Sequence, residues 1–342
     1  MRARDLGLAC GSLPPGQRNT IADVPGVVVG HATLVDGGCC TGVTAILPHD
    51  GDLFLDKPVA AAQVLNGFGK SVGLMQVNEL GVLETPILLT NTFSVGACAQ
   101  ALIRRAIAAD PEIGRQTSTV NPLVLECNDG YLNDIQAMAI TEAHADAAVD
   151  AAVEDVEVGA VGAGTGMSCF GLKGGIGSAS RRLRLDGETY HLGVLVLSNF
   201  GRSGDLRLPD GRRVDPAAPV PVIAAPETGS CIIVLATDIP LDHRQLGRIA
   251  RRAGVGLAWA GSFWGNGSGD IALAFTTANR SPHQADEDFQ EQRVLAEARI
   301  DRLFQAAAEA TQEAVLDSLA AAETTYGRNG HHRVGLAELL GK

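Results

Sequence analysis

Short apolar runs broken by glycine and proline recur along this chain, and the longer helical stretches between them never settle into strict strand–helix–strand alternation. Residues 21–35, 42–48, 85–92 and 231–236 (CIIVLA) read as strands. Residues 95–109, 135–153, 241–260 and 291–319 read as largely helical. The run 58–65 has the composition to open another helix. Residues 181–185 and 190–197 flank Asp186-Gly187, a dipeptide that favours a tight hairpin turn. Hairpin-joined strands mixed with helices fit an α+β layered sandwich better than a doubly wound parallel sheet. Glycine supplies 41 of 342 residues and aromatics only 4%, which suits tight turns and close backbone approach.

The balance of side chains narrows the function classes. Hydrophobic residues make up 46% and charged residues 19%, enough for a large core and against global disorder. The length allows two domains or one large layered one. A net charge of −12 without a Lys/Arg run argues against nucleic-acid binding, which needs a basic face. No apolar window is long enough for a membrane-spanning helix, and the N-terminal apolar stretch is too short for a signal peptide. Seven cysteines without CxxC spacing read as reduced thiols of a cytoplasmic protein. Eight histidines show neither HExxH nor metal-ligand clustering, so neither a metal nor another cofactor is expected.

Several motifs could carry chemistry. The run Gly162-Ala163-Gly164-Thr165-Gly166, continued by Lys173-Gly174-Gly175-Ile176-Gly177, has Asp186 at 20 residues beyond Gly166. A dinucleotide loop would need a helix after it, and none is apparent, so tight turns are favoured. Gly69-Lys70-Ser71-Val72-Gly73 matches GxSxG, but a nucleophile elbow follows a strand, and a helix is expected here. Glu126-Cys127-Asn128-Asp129-Gly130-Tyr131-Leu132-Asn133-Asp134 is either a polar turn with Asp134 as helix N-cap, or a carboxylate placed at a strand end to grip a cation. Asn199, in Ser198-Asn199-Phe200-Gly201, is a turn former or an amide donor for an oxyanion. Two Gly-Ser pairs could supply a nucleophile: Gly229-Ser230, and Gly267-Ser268 just before Asp270. A serine freed by cleavage of the preceding peptide gains an α-amine of pKa roughly 7.7–8.0. That amine can take the hydroxyl proton without a histidine.

Taken together these segments resemble the DmpA-type aminopeptidases, which include the β-peptidyl aminopeptidases and the L-aminopeptidase/D-esterase. NTIADVPGVVVGH, TGVTAILPH, ELGVLETPILLTNTFSVG, ECNDGYLND, GAGTGM with KGGIGSAS, SNFG, GSCIIVLATDIPL and GNGSGDIALAF carry the likeness across essentially the whole chain. The resemblance implies a four-layer αββα sandwich and one precursor, residues 1–342, cut between Gly229 and Ser230. The α chain 1–229 and β chain 230–342 would stay together and assemble as a homotetramer of αβ units. It implies Ser230 as nucleophile, Asn199 as oxyanion donor, and Ser268 with Asp270 as the groups that orient the amine. Glu126 would bind the substrate's amino group. Asn128 stands where studied members carry Tyr, Tyr131 is not its equivalent by spacing, and Lys70 stands where relatives often carry Glu; both departures bear on substrate preference. The implied activity is release of N-terminal residues from small peptides, amino-acid amides or esters. An acyltransferase resembling ornithine acetyltransferase is a rival, though that chemistry commonly uses Thr at the cut. A non-cleaving binding protein of the same fold is another, and a nucleotide-binding oxidoreductase a distant third.

Overall fold

The computed structural model describes residues 1–216, 228–285 and 287–342. In chain order the first elements are β1 (Val28–Asp36), β2 (Cys39–Leu47), β3 (Asp56–Gly67), α1 (Leu74–Leu80), β4 (Ile87–Asn91), α2 (Val95–Ala109), β5 (Leu123–Cys127) and α3 (Glu142–Asp150). Two short strands, β6 (Ser168–Cys169) and β7 (Leu172–Lys173), precede the long hairpin of β8 (Gly175–Leu185) and β9 (Glu188–Asn199). After β10 (Leu206–Arg207) and β11 (Arg213–Val214) come β12 (Thr228–Thr237), α4 (His243–Ala260), β13 (Gly267–Pro282) and α5 (Asp301–Ala321). The chain closes with β14 (Thr325–Tyr326), β15 (His332–Arg333) and α6 (Leu336–Leu339).

Two sheets face each other. One has the order β1-β2-β4-β5, the other β3-β13-β12-β9-β8. Each contains a parallel pair, β4/β5 and β12/β13. Parallel neighbours need a crossover, and α2 and α4 supply it. Side-chain alternation then builds four layers. Along β12, Ile232, Val234 and Ala236 enter the core between the sheets with Leu89, Leu125, Leu197 and Phe275. Cys231, Ile233 and Leu235 turn the other way, onto Leu246, Ala253 and Leu257 of α4 and Leu303 and Leu319 of α5. On the opposite outer face, Val43, Leu88 and Val124 pack against Cys98 and Leu102 of α2 and Ala145 and Val149 of α3. This is the expected α+β architecture, helix layer, two sheets, helix layer.

Some expectations need correction. Residues 58–65 form part of strand β3, not a helix, and pair antiparallel with β13. The run is alanine-rich, and alanine favours helix in isolation, but Ala60 and Ala62 face the inter-sheet core while Val59 and Ala61 face α4. Within 135–153 only Glu142–Asp150 is α-helical; Met138 at φ +45° ends a single 3-10 turn. Helix α5 starts at Asp301 rather than near 291. Asp134 precedes that 3-10 turn but makes no side-chain cap bond. Most of the Pro/Ala stretch 215–229 lies outside the described residues.

Candidate active site

The strand ends decide which sequence-distant residues meet. In β12, Ser230 lies in register with Asn199 of β9 and with Gly269 of β13. Paired residues share a sheet face, so these three face the inter-sheet side. The first sheet contributes the end of β5, where Glu126 lies in register with Thr90 of β4. The two sheets are tied there by Asn199 Nδ2, which donates to the Asn128 carbonyl at 2.8 Å. The result is a cavity of about 450 Å³ lined by Lys70, Glu126, Asn128, Asn199, Gly229 and Ser230, among others.

Ser230 is only 3% exposed, and its Oγ donates to the carbonyl oxygen of Gly229 at 2.6 Å. Gly229 adopts φ +129°, and a Cβ there would sit 2.0 Å from the Asn199 carbonyl oxygen. Glycine is therefore required before the serine on both conformational and steric grounds. Gly269 leaves room beside the hydroxyl: a Cβ there would lie 3.0 Å from Ser230 Oγ and 2.5 Å from the Phe68 carbonyl oxygen.

Asn199 is held at both ends of its amide. Oδ1 accepts from the Ser168 N–H at 2.9 Å, and one Nδ2 proton goes to Asn128. An amide nitrogen carries two protons, so one remains to donate into the cavity. The Ser168 backbone is held by the Gly-rich run, where buried Lys173 Nζ donates to the carbonyls of Gly164, Met167 and Gly174 at 2.9, 3.1 and 2.7 Å. Burial lowers the Lys173 ammonium to about 7. That run leads into β8, not into a helix, so it lacks the helix N-terminus of a dinucleotide loop.

Glu126 is buried. Its Oε1 accepts from the Lys70 N–H at 2.8 Å, and its Oε2 accepts from the Thr92 hydroxyl. Each carboxylate oxygen has a second lone pair, so capacity for a cationic ligand remains. Asn128 closes a local turn by accepting from the Gly130 N–H at 2.9 Å. Its neighbour Asp129 points away from the cavity, accepting from Thr41 Oγ1 at 2.6 Å and Asn133 Nδ2 at 2.9 Å. Burial pushes the Asp129 carboxyl up to about 6.

Ser268 and Asp270 are close to this centre but do not line the cavity. Ser268 Oγ donates to Asp270 Oδ1 at 3.0 Å, and both are fully buried. They flank Gly269, so alternation puts them on the sheet face opposite Ser230 Oγ. Ser268 is in register with Gly229, level with the Gly229–Ser230 peptide on the neighbouring strand. That register sets the pair beside the backbone at Ser230. The GxSxG match needs a revised account: strand β3 does precede it and α1 follows. Even so, Ser71 Oγ is buried without a hydrogen-bond partner among the described residues, and no histidine serves it as base.

Sequence reasoning missed Thr92, Ser168, Phe68 and Arg333 as cavity residues, and set Tyr131 aside on spacing although it lines the wall. Thr92 ends a predicted strand and was within reach of notice; Arg333 lies in a polar C-terminal stretch with nothing to single it out. Among the described residues no group of three His, Cys, Asp or Glu side chains could hold a metal ion.

A family model for peptidase family S58 matches residues 19–333. The β-peptidyl aminopeptidase BapA of Sphingosinicella microcystinivorans is 38% identical over 365 aligned positions, covering 99% of this chain and 90% of that one. Among solved structures, the PH0078 protein from Pyrococcus horikoshii OT3 superposes with a TM-score of 0.94 at 49% identity, covering 99% of this chain and 98% of that one. The L-aminopeptidase D-Ala-esterase/amidase from Ochrobactrum anthropi superposes with a TM-score of 0.88 at 34% identity, covering 98% and 95%. That enzyme is described as a prototype for the serine aminopeptidases and a variant of the Ntn hydrolase fold.

Proposed function

Because the chain belongs to peptidase family S58, we infer that it is an N-terminal-nucleophile aminopeptidase, a hydrolase of short peptides, and that Ser230 is its nucleophile. The observation that carries the assignment of residues is the meeting, in one cavity, of the Ser230 hydroxyl, a free amide proton of Asn199 and the Glu126 carboxylate.

The proposed sequence of events begins within the chain. Ser230 Oγ attacks the Gly229 carbonyl carbon, the C–N bond breaks, and the nitrogen leaves as a free α-amine. Water then hydrolyses the ester between Gly229 and Ser230. The mature serine carries its own base, because the neutral α-amine can accept the hydroxyl proton. Ser268 and Asp270, level with that nitrogen on β13, orient it. In turnover Ser230 attacks the substrate acyl carbon. Asn199 donates to the developing oxyanion, a contribution of about 2.7–4 kcal/mol when a single such donor is removed from comparable sites. Glu126 takes the substrate's free ammonium through a charge-assisted contact. Amino-acid amides and esters present the same ammonium and acyl carbon, so they belong to the proposed substrates.

The same proposal includes chains 1–229 and 230–342 remaining associated, and a tetramer of such units, which rests on the family resemblance and is checked by sedimentation. All seven cysteines are free thiols, which suits a reducing, cytoplasmic setting. Among the described residues no helix is long and apolar enough to cross a membrane. The test of function is hydrolysis of a panel of aminoacyl p-nitroanilides, including β-homo and D-residues, with Ser230→Ala as control. Release of p-nitroaniline by the wild type alone is expected. Equal release by both proteins would remove Ser230 from the chemistry.

A further inference from the structure

The chain carries a net charge of −12, yet among the described residues two of the three charged side chains lining the active-site cavity are cations, Lys70 and Arg333, beside the carboxylate of Glu126. Neither cation forms an ion pair among the described residues. Elsewhere in the fold, fully buried Arg181 meets Glu309 and Glu313, and half-buried Arg2 meets Asp317. Arg333, half-buried on the cavity wall, has no such acid among the described residues, and burying an unpaired charge is costly.

Arg333 is held in place from several sides. Its strand β15 pairs with β14, with Arg333 opposite Thr325. The hairpin is fastened to the loop after β5: Arg328 Nε donates to the Gly130 carbonyl at 2.8 Å, and the Arg328 N–H to the Leu132 carbonyl at 2.7 Å. The Lys173 N–H donates to the Val334 carbonyl at 2.9 Å. The Arg333 guanidinium lies 3.6 Å from the centre of the Tyr131 ring, which stacks in turn on His331 at 4.7 Å. Its Nε is buried with no hydrogen-bond partner among the described residues. Lys70 is exposed at the cavity mouth, its ammonium 4.3 Å from the centre of the exposed Phe68 ring. Cation–π contact leaves each head group its charge, and the planar guanidinium fork of Arg333 matches a carboxylate.

Resting on the aminopeptidase reading, we propose that Arg333 and Lys70 form a carboxylate subsite, so that the preferred substrates are short peptides carrying a carboxylate as well as a free amine. The ammonium goes to Glu126 and the carboxylate to the two cations. The carboxylate has two possible sources: the side chain of an acidic N-terminal residue, or the C-terminus of a dipeptide.

Matched pairs separate these sources. One pair is alanyl-alanine and its C-terminal amide; the other is aspartyl and asparaginyl p-nitroanilide. Wild-type kcat/KM should favour the carboxylate member of one pair roughly ten-fold, the size of one charge-assisted hydrogen bond, and added salt should narrow the gap. The pair that responds identifies the source. Arg333→Gln should lower kcat/KM for the carboxylate member roughly ten-fold more than for its neutral partner, and Arg333→Lys should restore part of the difference. Calorimetric binding of the same pairs to Ser230→Ala keeps the subsite separate from the chemistry. Retained carboxylate preference in binding without any hydrolysis by the wild type would sink the aminopeptidase reading and leave the subsite standing. Equal kcat/KM and equal Kd within both pairs would overturn the subsite.

Discussion

In the proposed mechanism the Ser230 hydroxyl attacks two carbonyls in succession, its own chain's and the substrate's, so one substitution has two readouts. Ser230→Ala should give a single folded chain without peptidase activity; normal processing of this variant on denaturing gels would refute the mechanism. Glu126→Gln should separate the two steps, since cleavage of the chain involves no external ammonium. Loss of a charge-assisted contact, roughly 1.5–3 kcal/mol, should lower kcat/KM for amine-bearing substrates by about ten- to hundred-fold, while processing continues. Unchanged kinetics would take Glu126 out of the site. Asp129 cannot replace it, being turned into the Thr41–Asn133 network. Its raised carboxyl makes a different prediction. The folded state holds that proton to about pH 6, the unfolded state only to its ordinary value near 4. Between those values the native state binds more protons, so this group makes stability fall as pH rises, by roughly 2–3 kcal/mol at most. Urea unfolding of wild type and Asp129→Asn across pH 4–7 should show a smaller decline in the variant; identical pH profiles would contradict it. At this scale the sequence singled out Ser230, Asn199 and Glu126 through motif resemblance. Arg333 escaped because its place depends on a hairpin docking nearly two hundred residues away in sequence (Arg328 on Gly130).

At the scale of elements, periodicity served where an element buries one face, and failed where both faces are covered. Residues 95–109 match α2 because its apolar positions Val95, Cys98, Ala101 and Leu102 make a stripe. The hairpin at Asp186-Gly187 is set by local turn chemistry, with Leu185 opposite Glu188. Strand β3 was hidden because an alanine-rich strand buried on both sides leaves no alternation to read. The site depends on how such strands abut. Gly269→Ala would force a Cβ within 3.0 Å of Ser230 Oγ and 2.5 Å of the Phe68 carbonyl. Backbone cannot yield as a flexible side chain can, so β13 must shift against β3. The expected outcome is a folded protein, by circular dichroism, whose processing is slowed at least ten-fold on a gel time course, in line with the cost of misplacing reacting groups. Processing at the wild-type rate would show that the close fit at Gly269 is irrelevant to the chemistry.

Across the whole molecule, the proposed cut falls inside a sheet rather than between modules. Strand β12 from Ser230 onward and β13 would belong to one fragment and their neighbours β9 and β3 to the other. Helix α5 would hold the other fragment through Arg4 near its N-terminus, 2.6 Å from Glu313, and through fully buried Arg181 of β8, 2.9 Å from Glu313. Burial would raise the Glu313 carboxyl, but the hydrogen bond from Arg4 and the charge of Arg181 outweigh it and hold it below its usual value. Its contribution is therefore present above the unfolded pKa and lost as pH falls through the lower folded one. Glu313→Gln should cost about 3–5 kcal/mol, because it leaves buried arginine short of a partner. Denaturant unfolding checks this, and a cost below about 1 kcal/mol would mean the network is not what joins the fragments. Most direct for the central claim is intact mass measurement under denaturing conditions with N-terminal sequencing of the smaller chain. The account predicts two chains, residues 1–229 and 230–342, the second beginning Ser-Cys-Ile-Ile. A single uncut active chain, or a small chain beginning at Ser268, would contradict it.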